Sequence, residues 1–304
     1  MVTEPIQITE LSKYLEVARE KYDACMSRMD LPIQIDGENA VARFKYVKFD
    51  KNGQPKFKDL AECLADHITQ YCFSVRRRQR AMSEADRNRL YREAKKLMRS
   101  YATSGEAGEL LLYFLLEAVL EAPQLVAKMD LKTSTAMEIH GSDGIHMRWD
   151  DSANCMDIYF GEAKLYSNIS KALDSAFESI TSFHNNRQTD RELNIVTSHC
   201  KWADKKTKNI VLRYVDRLDP IDDCRFNHAC LIGYDWKKYK KLNDNQRTTF
   251  LTNFIEDYSK DIPRLIKLLK RRFEKFEFCE FKFEIFFLPF RSVQEFRDEF
   301  TKAL

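Results

Sequence analysis

Apolar and polar positions change their period several times along this 304-residue chain, and each change predicts an element. Residues 8 to 28 predict an opening helix and residues 40 to 49 a strand, closed by the turn Asp50-Lys51-Asn52-Gly53. Two further helices fill the stretch up to residue 100. The run Leu110-Leu111-Leu112-Tyr113-Phe114-Leu115-Leu116 follows Thr103-Ser104-Gly105-Glu106, which has the Thr-x-x-Glu form of a capping box, and predicts a largely buried helix. Cys155-Met156-Asp157-Ile158-Tyr159-Phe160-Gly161-Glu162-Ala163-Lys164, behind the polar turn Asp150-Asp151-Ser152, suits a buried strand. Residues 168 to 183 place Ile169, Leu173, Ala176, Phe177 and Ile180 on one side of an amphipathic helix. Strands are expected at 229 to 235 and 278 to 289, with helices near 244 to 275 between them and a short helix at the end. The aromatic-rich stretch around Phe276, Phe283 and Phe290 reads as core packing ahead of base stacking.

Side chains two apart on a strand share a face, so Ile158, Phe160, Glu162 and Lys164 point one way. A carboxylate and an ammonium thus emerge at the end of an apolar floor. Asp143, in Gly141-Ser142-Asp143-Gly144, is placed to begin a neighbouring antiparallel strand, with residues 150 to 154 as the connection. That pairing gathers three charged groups. A bare Glu-x-Lys arises by chance in most chains of this size; the strand context and Asp143 give this one its weight. Hydrolysis of a phosphodiester needs such a group, because the scissile unit is anionic and water is a poor nucleophile at neutral pH. Carboxylate oxygens suit Mg²⁺, with Mn²⁺ as a substitute, and a bound ion both acidifies its water and offsets charge on the phosphate. Asp143 and Glu162 are the candidate ligands, the Ala163 carbonyl is a further one, and Lys164 is the residue to orient or activate the attacking water. Glu106, Glu109, Tyr113 and Glu117 form a stripe at helical spacing. Glu106 and Glu109 either favour the positive helix N-terminus, or Glu109, nearer the apolar run, is an additional metal ligand.

The order Gly-Glu-x-Gly-Glu (105 to 109), Gly-Ser-Asp-Gly (141 to 144) and Gly-Glu-Ala-Lys (161 to 164) resembles the PD-(D/E)xK nuclease superfamily. More narrowly, with Met129-Asp130-Leu131-Lys132-Thr133, Glu138-Ile139-His140 and Leu165-Tyr166 in support, it is similar to the HamA family of the bacterial Hachiman anti-phage defence system. Residues 100 to 200 carry the resemblance. Ser142 stands where the superfamily name has proline. The resemblance implies an α/β (α+β) fold with a restriction-endonuclease-like core, a central mixed sheet flanked by helices. It also implies a DNA nuclease that works with a restraining helicase partner, HamB. On that reading residues 1–100 form an N-terminal α/β extension and 101–304 the nuclease domain. Two other readings stay open: a non-catalytic DNA-binding or scaffold subunit, and a restriction or repair endonuclease of the same superfamily.

Composition narrows the field. With 44% hydrophobic and 32% charged residues, no apolar run of about eighteen and no signal-peptide pattern, the chain is expected to be a cytosolic bacterial globular protein. Eight cysteines without a C-x-x-C pair argue against a disulfide framework, and Cys224, His228 and Cys230 near His199-Cys200 fit no common zinc spacing. Walker-type loops and nucleophilic Ser/His/Asp arrangements are absent, so ATP hydrolysis by this chain is not expected. A net charge of +3 is mild for a DNA ligand, which makes local clusters matter. Arg76, Arg77, Arg78 and Arg80, followed by Arg87, Arg89 and Arg92, form one; Lys237, Lys238, Lys240 and Lys241, with Trp236 and Tyr239 for stacking, form the other. Each is equally readable as a solvated helix face, and the arginine run also as a helicase-facing surface.

Overall fold

A computed structural model describes residues 8–29, 31–99, 105–132, 141–202, 224–241 and 249–304, with the single positions 209, 211, 212 and 214. A 3-10 helix at Ile8–Tyr14 leads to α1 (Arg19–Cys25), β1 (Met26–Arg28), β2 (Ile33–Gln34) and β3 (Ala40–Val47). Helices α2 (Phe57–Asp66), α3 (Ile68–Cys72), α4 (Val75–Arg80), α5 (Glu84–Arg99), α6 (Glu106–Leu120) and α7 (Lys128–Lys132) come next. The hairpin of β4 (Gly144–Asp150) and β5 (Cys155–Tyr166) precedes α8 (Ile169–Asn185) and α9 (Gln188–His199). Then follow β6 (Cys224–Asp235), α10 (Phe250–Phe273), β7 (Lys282–Phe290) and α11 (Val293–Ala303).

The strands make one mixed sheet in the order β1, β3, β7, β6, β5, β4, with β2 also on β3. β3, β7, β6 and β5 are parallel, whereas β4 at one edge and β1 and β2 at the other are antiparallel. Asn227 to Tyr234 of β6 and Phe283 to Phe290 of β7 are buried without a break, as parallel strands covered on both faces require. Alternate residues divide between two cores. Leu231, Phe286 and Phe290 face α6 and α11, backed by α2 and α3; Cys230, Ile232 and Phe287 face α8 and α10. Near β4, Ile158 and Phe160 pack with Phe183 of α8 and Leu193 and Val196 of α9. This is the helix-flanked α/β (α+β) architecture of a nuclease-like core. Among the described residues no helix is long and apolar enough to cross a membrane.

Helix α8 starts where Asn168 accepts from the Ser170 and Lys171 amides, and it buries Leu173, Ala176, Phe177 and Ile180 as its spacing predicts. The single helix expected over residues 8 to 28 is instead a 3-10 helix, α1 and β1. The carboxylate of Glu117 on α6 takes the amides of Glu16 and Val17 at 2.6 and 3.0 Å, which diverts the chain between the two helices, and β1 then pairs with β3. Helix α6 is buried almost all round, which explains its unbroken apolar run. Thr103 and Ser104 of the expected capping box lie outside the described residues; Gly105 holds the N-cap position. Of the helices expected near 244 to 275, α10 is one continuous helix, and positions 242–248 lie outside the described residues.

Burial holds two histidines neutral, His146 and His228, each pushed down to about 3 from 6.5. His146 Nδ1 meets the Ala122 carbonyl at 2.8 Å, and His228 Nε2 meets His184 Nε2 at 2.8 Å among phenylalanine rings. Depressed values mean that the unfolded chain binds these protons more tightly, so their contribution is complete above pH 6.5 and is lost as pH falls toward 3. The unfolding free energy, measured by urea denaturation, should therefore fall by a few kcal/mol across that window. His228→Phe, which keeps a ring in the aromatic cage, should flatten the slope; an unaltered slope would reject this account.

Candidate active site

Antiparallel pairing of β4 with β5 sets Gly144 opposite Gly161, and the Asp143 amide donates to the Gly161 carbonyl at 2.8 Å. Asp143 therefore lies across from the start of the Glu-Ala-Lys segment. Its Oδ2 accepts from the Ala163 amide at 2.7 Å. Glu162 and Lys164 share a face of β5, and Lys164 Nζ reaches Glu162 Oε1 at 2.6 Å. Ser179 of α8 lines the same recess as Glu162 and helps to offset its raised carboxyl. From the other side of the strand, α6 presents Glu109, whose Oε2 accepts from the Tyr71 hydroxyl on α3 at 3.0 Å. Asp143 and Lys164 stand between two recesses. One, of about 460 Å³, includes Glu162 and His228; the other, of about 640 Å³, includes Glu109 and Ala163.

Charge in this corner is unbalanced. Burial, then the Glu162 and Glu109 carboxylates, hold Asp143 well above the usual carboxylate range, against the pull of the Ala163 amide and Lys164. Glu162 is likewise raised by burial, with Lys164 opposing. Lys164 is raised in turn: burial works against its charge, but Glu162 and Asp143 outweigh it. Burial and Glu109 keep the Tyr71 hydroxyl protonated as a donor. The donor set is all hard oxygen, which fits Mg²⁺ or Mn²⁺ by type. Among the described residues no three His, Cys, Asp or Glu side chains form a ready cage. Mg²⁺ keeps several waters and takes only one or two protein carboxylates, so a pair such as Asp143 and Glu162 would meet that need, with Glu109 and Ala163 lining the same corner.

Residues that the sequence reading passed over hold the aspartate loop. Lys128 of α7 is buried, and its Nζ donates to Glu192 Oε1 of α9 at 2.6 Å, to the Ser142 carbonyl at 2.6 Å and to Ser142 Oγ at 3.1 Å. The same Glu192 oxygen takes the Ser142 amide at 2.9 Å. Gly141 has φ +151°, and a Cβ there would sit 1.9 Å from Glu192 Oε1, so only glycine fits. The Gly-Ser-Asp-Gly motif signals that glycine, while nothing in the sequence links Lys128 to Glu192.

The basic clusters are placed differently from one another. Arg76 and Arg80 are exposed, as are Arg87, Arg89 and Arg92. Arg77 is instead ion-paired with Glu93 and Asp130, and Arg78 with Glu16, so these two serve internal contacts and are not free phosphate ligands. Lys237 is exposed and Lys238 pairs with Asp257 at 3.4 Å; the side chains of Lys240 and Lys241 lie outside the described residues. The expectation that Trp236 and Tyr239 offer stacking faces is corrected. Both are buried against Phe254, and Trp236 Nε1 donates to Asp261 at 3.1 Å. Here the strand they follow, β6, lies inside the sheet, and its end carries both rings into the core.

Removing one member of a buried ion pair strands the other, at a cost of about 3–5 kcal/mol. Lys128→Met should therefore lower the urea midpoint by that equivalent with the m-value unchanged. A loss below ~1 kcal/mol would show that the clamp does not hold the loop.

Comparison with known proteins adds an independent finding. No protein of curated function matches the chain. The HamA family model matches residues 25–304, which takes in every strand of the sheet and all the candidate site residues. On that match the chain belongs to the HamA family, a family of the Hachiman defence system.

Proposed function

We propose that the chain is a metal-dependent DNA nuclease, the effector of a bacterial anti-phage complex whose helicase partner, HamB-like, restrains it. The observation that carries this reading is the hairpin that sets Asp143 against the Glu162-Ala163-Lys164 segment, with Glu109 facing the same corner from α6. Asp143 and Glu162 would hold the cation, with Glu109 and the Ala163 carbonyl as further oxygens. A divalent ion bound there supplies an acidified water and offsets charge on the phosphate oxygens. Lys164, half-buried and already paired with Glu162, is an ammonium donor: it aligns the attacking water and stabilises negative charge as the phosphorus centre gains an oxygen. Tyr71 fixes the Glu109 carboxylate through its hydroxyl, so that side chain meets the corner in one orientation. The helicase partner rests on family membership, and the exposed Arg76, Arg80, Arg87, Arg89 and Arg92 are surfaces open to DNA or to that partner.

The purified chain should degrade linear or supercoiled DNA with Mg²⁺ and spare it with EDTA. Glu162→Ala and Lys164→Ala should each cut the rate by at least ~10²–10³-fold, with circular dichroism and thermal midpoint close to the unaltered protein. If DNA survives every condition, including added helicase partner and ATP, or if the variants cleave at the unaltered rate, the nuclease reading fails.

A further inference from the structure

The two recesses beside Lys164 differ in charge. The one that includes Glu162 is also lined by Glu178 and the neutral His228, and Lys164 is its only ammonium or guanidinium among the described residues. The other adds a second cation, Arg297 of α11, to Glu109, Asp143 and Lys164. Arg297 is half-buried, and its Nη2 donates to the Leu165 carbonyl at 3.0 Å, the residue next to Lys164 on β5. That bond ties the guanidinium to the strand carrying the candidate active site.

What sets Arg297 apart is its lack of a counter-ion. Arg43, Arg77, Arg78, Arg272 and Arg291 each pair with a carboxylate. Among the described residues no carboxylate pairs with Arg297, although Glu109, Asp143 and Asp235 line the same recess. Each of those three is engaged elsewhere: Glu109 by Tyr71, Asp143 by the Ala163 amide and Asp235 by the Val293 amide at 2.7 Å. A guanidinium has five N–H donors in a rigid fork, and only one bond here uses them. A partly desolvated cation with spare donors beside an acid cluster suits an anion that brings its own oxygens. The fork matches two oxygens of a phosphate.

We propose that Arg297 is a substrate-binding residue, holding a backbone phosphate of the nucleic acid on the α11 side of Lys164, so that the strand to be cut enters along the 165–167 segment and α11. This deepens the nuclease reading and rests on it for the identity of the ligand. The Glu162 recess, with its carboxylates and single ammonium, is then the side left to water.

The test uses the full chain in EDTA, with a fluorescein-labelled DNA duplex followed by anisotropy between 50 and 200 mM salt. Arg297→Gln keeps an N–H for the Leu165 carbonyl and removes the charge. It should reduce the slope of log Kobs against log salt by about 0.9, the release of one phosphate contact's counterions. Arg297→Lys should restore the slope. The same variants assayed with Mg²⁺ should show a higher KM for Gln than for Lys. An unaltered slope in Arg297→Gln overturns the subsite and leaves the nuclease reading to its own cleavage assay. A reduced slope from a chain that never cleaves would keep the subsite and sink the nuclease. No duplex binding by the unaltered chain would overturn the subsite and again leave the nuclease reading to its cleavage assay.

Discussion

Carboxylates held close together in a poorly hydrated corner repel one another and resent losing water, and the framework around the hairpin exists to withstand that. Asp143 is fixed at three levels. Its amide is in the β4–β5 ladder, its carboxylate is on the Ala163 amide, and the loop before it is gripped by Lys128 and Glu192. Glu162 leans on Lys164 and Ser179, and Glu109 on Tyr71. Each contact limits the retreat of a side chain that would relax away from its neighbours. On the reading proposed above, a cation that entered this corner would remove repulsion as well as make bonds.

The sequence was informative where the physics is local. The two-residue repeat of a strand puts Glu162 and Lys164 on one face, the polar turn after Asp150 announces the hairpin, and the spacing after Asn168 announces α8. All of these follow from neighbours along the chain. The opening helix looks continuous in sequence because its interruption depends on Glu117, a hundred residues away. The same limit hid Lys128, Glu192, Tyr71 and Arg297. Each is an ordinary residue on its own element, and only tertiary packing brings it to the corner. Trp236 and Tyr239 fail as stacking platforms for a related reason: composition marks a basic, aromatic stretch but not which of its sides the core claims.

Arginine is used here for two opposed purposes. Most partly buried guanidiniums close ion pairs that stitch elements together, as Arg43 does between β3 and β7 and Arg78 between α4 and the N-terminal segment. The exposed Arg76 and Arg80 of α4 and Arg89 and Arg92 of α5 close no such ion pair among the described residues. Sequence clustering cannot separate these uses, since Arg76, Arg77, Arg78 and Arg80 fall into both.

The parallel pairing of β3 with β7 joins residues 40–44 to residues 283–287. During synthesis the hairpin of β4 and β5 has all its partners within a few tens of residues and can close early, whereas the sheet that shelters it waits for β7, the last strand among the described residues. Loop closure over such a separation is slow, and the unpaired edges of β5 and β6 stay exposed meanwhile. The acid corner is thus laid down before the strands that complete the sheet around it, and it is enclosed only once β7 has joined β3 and β6.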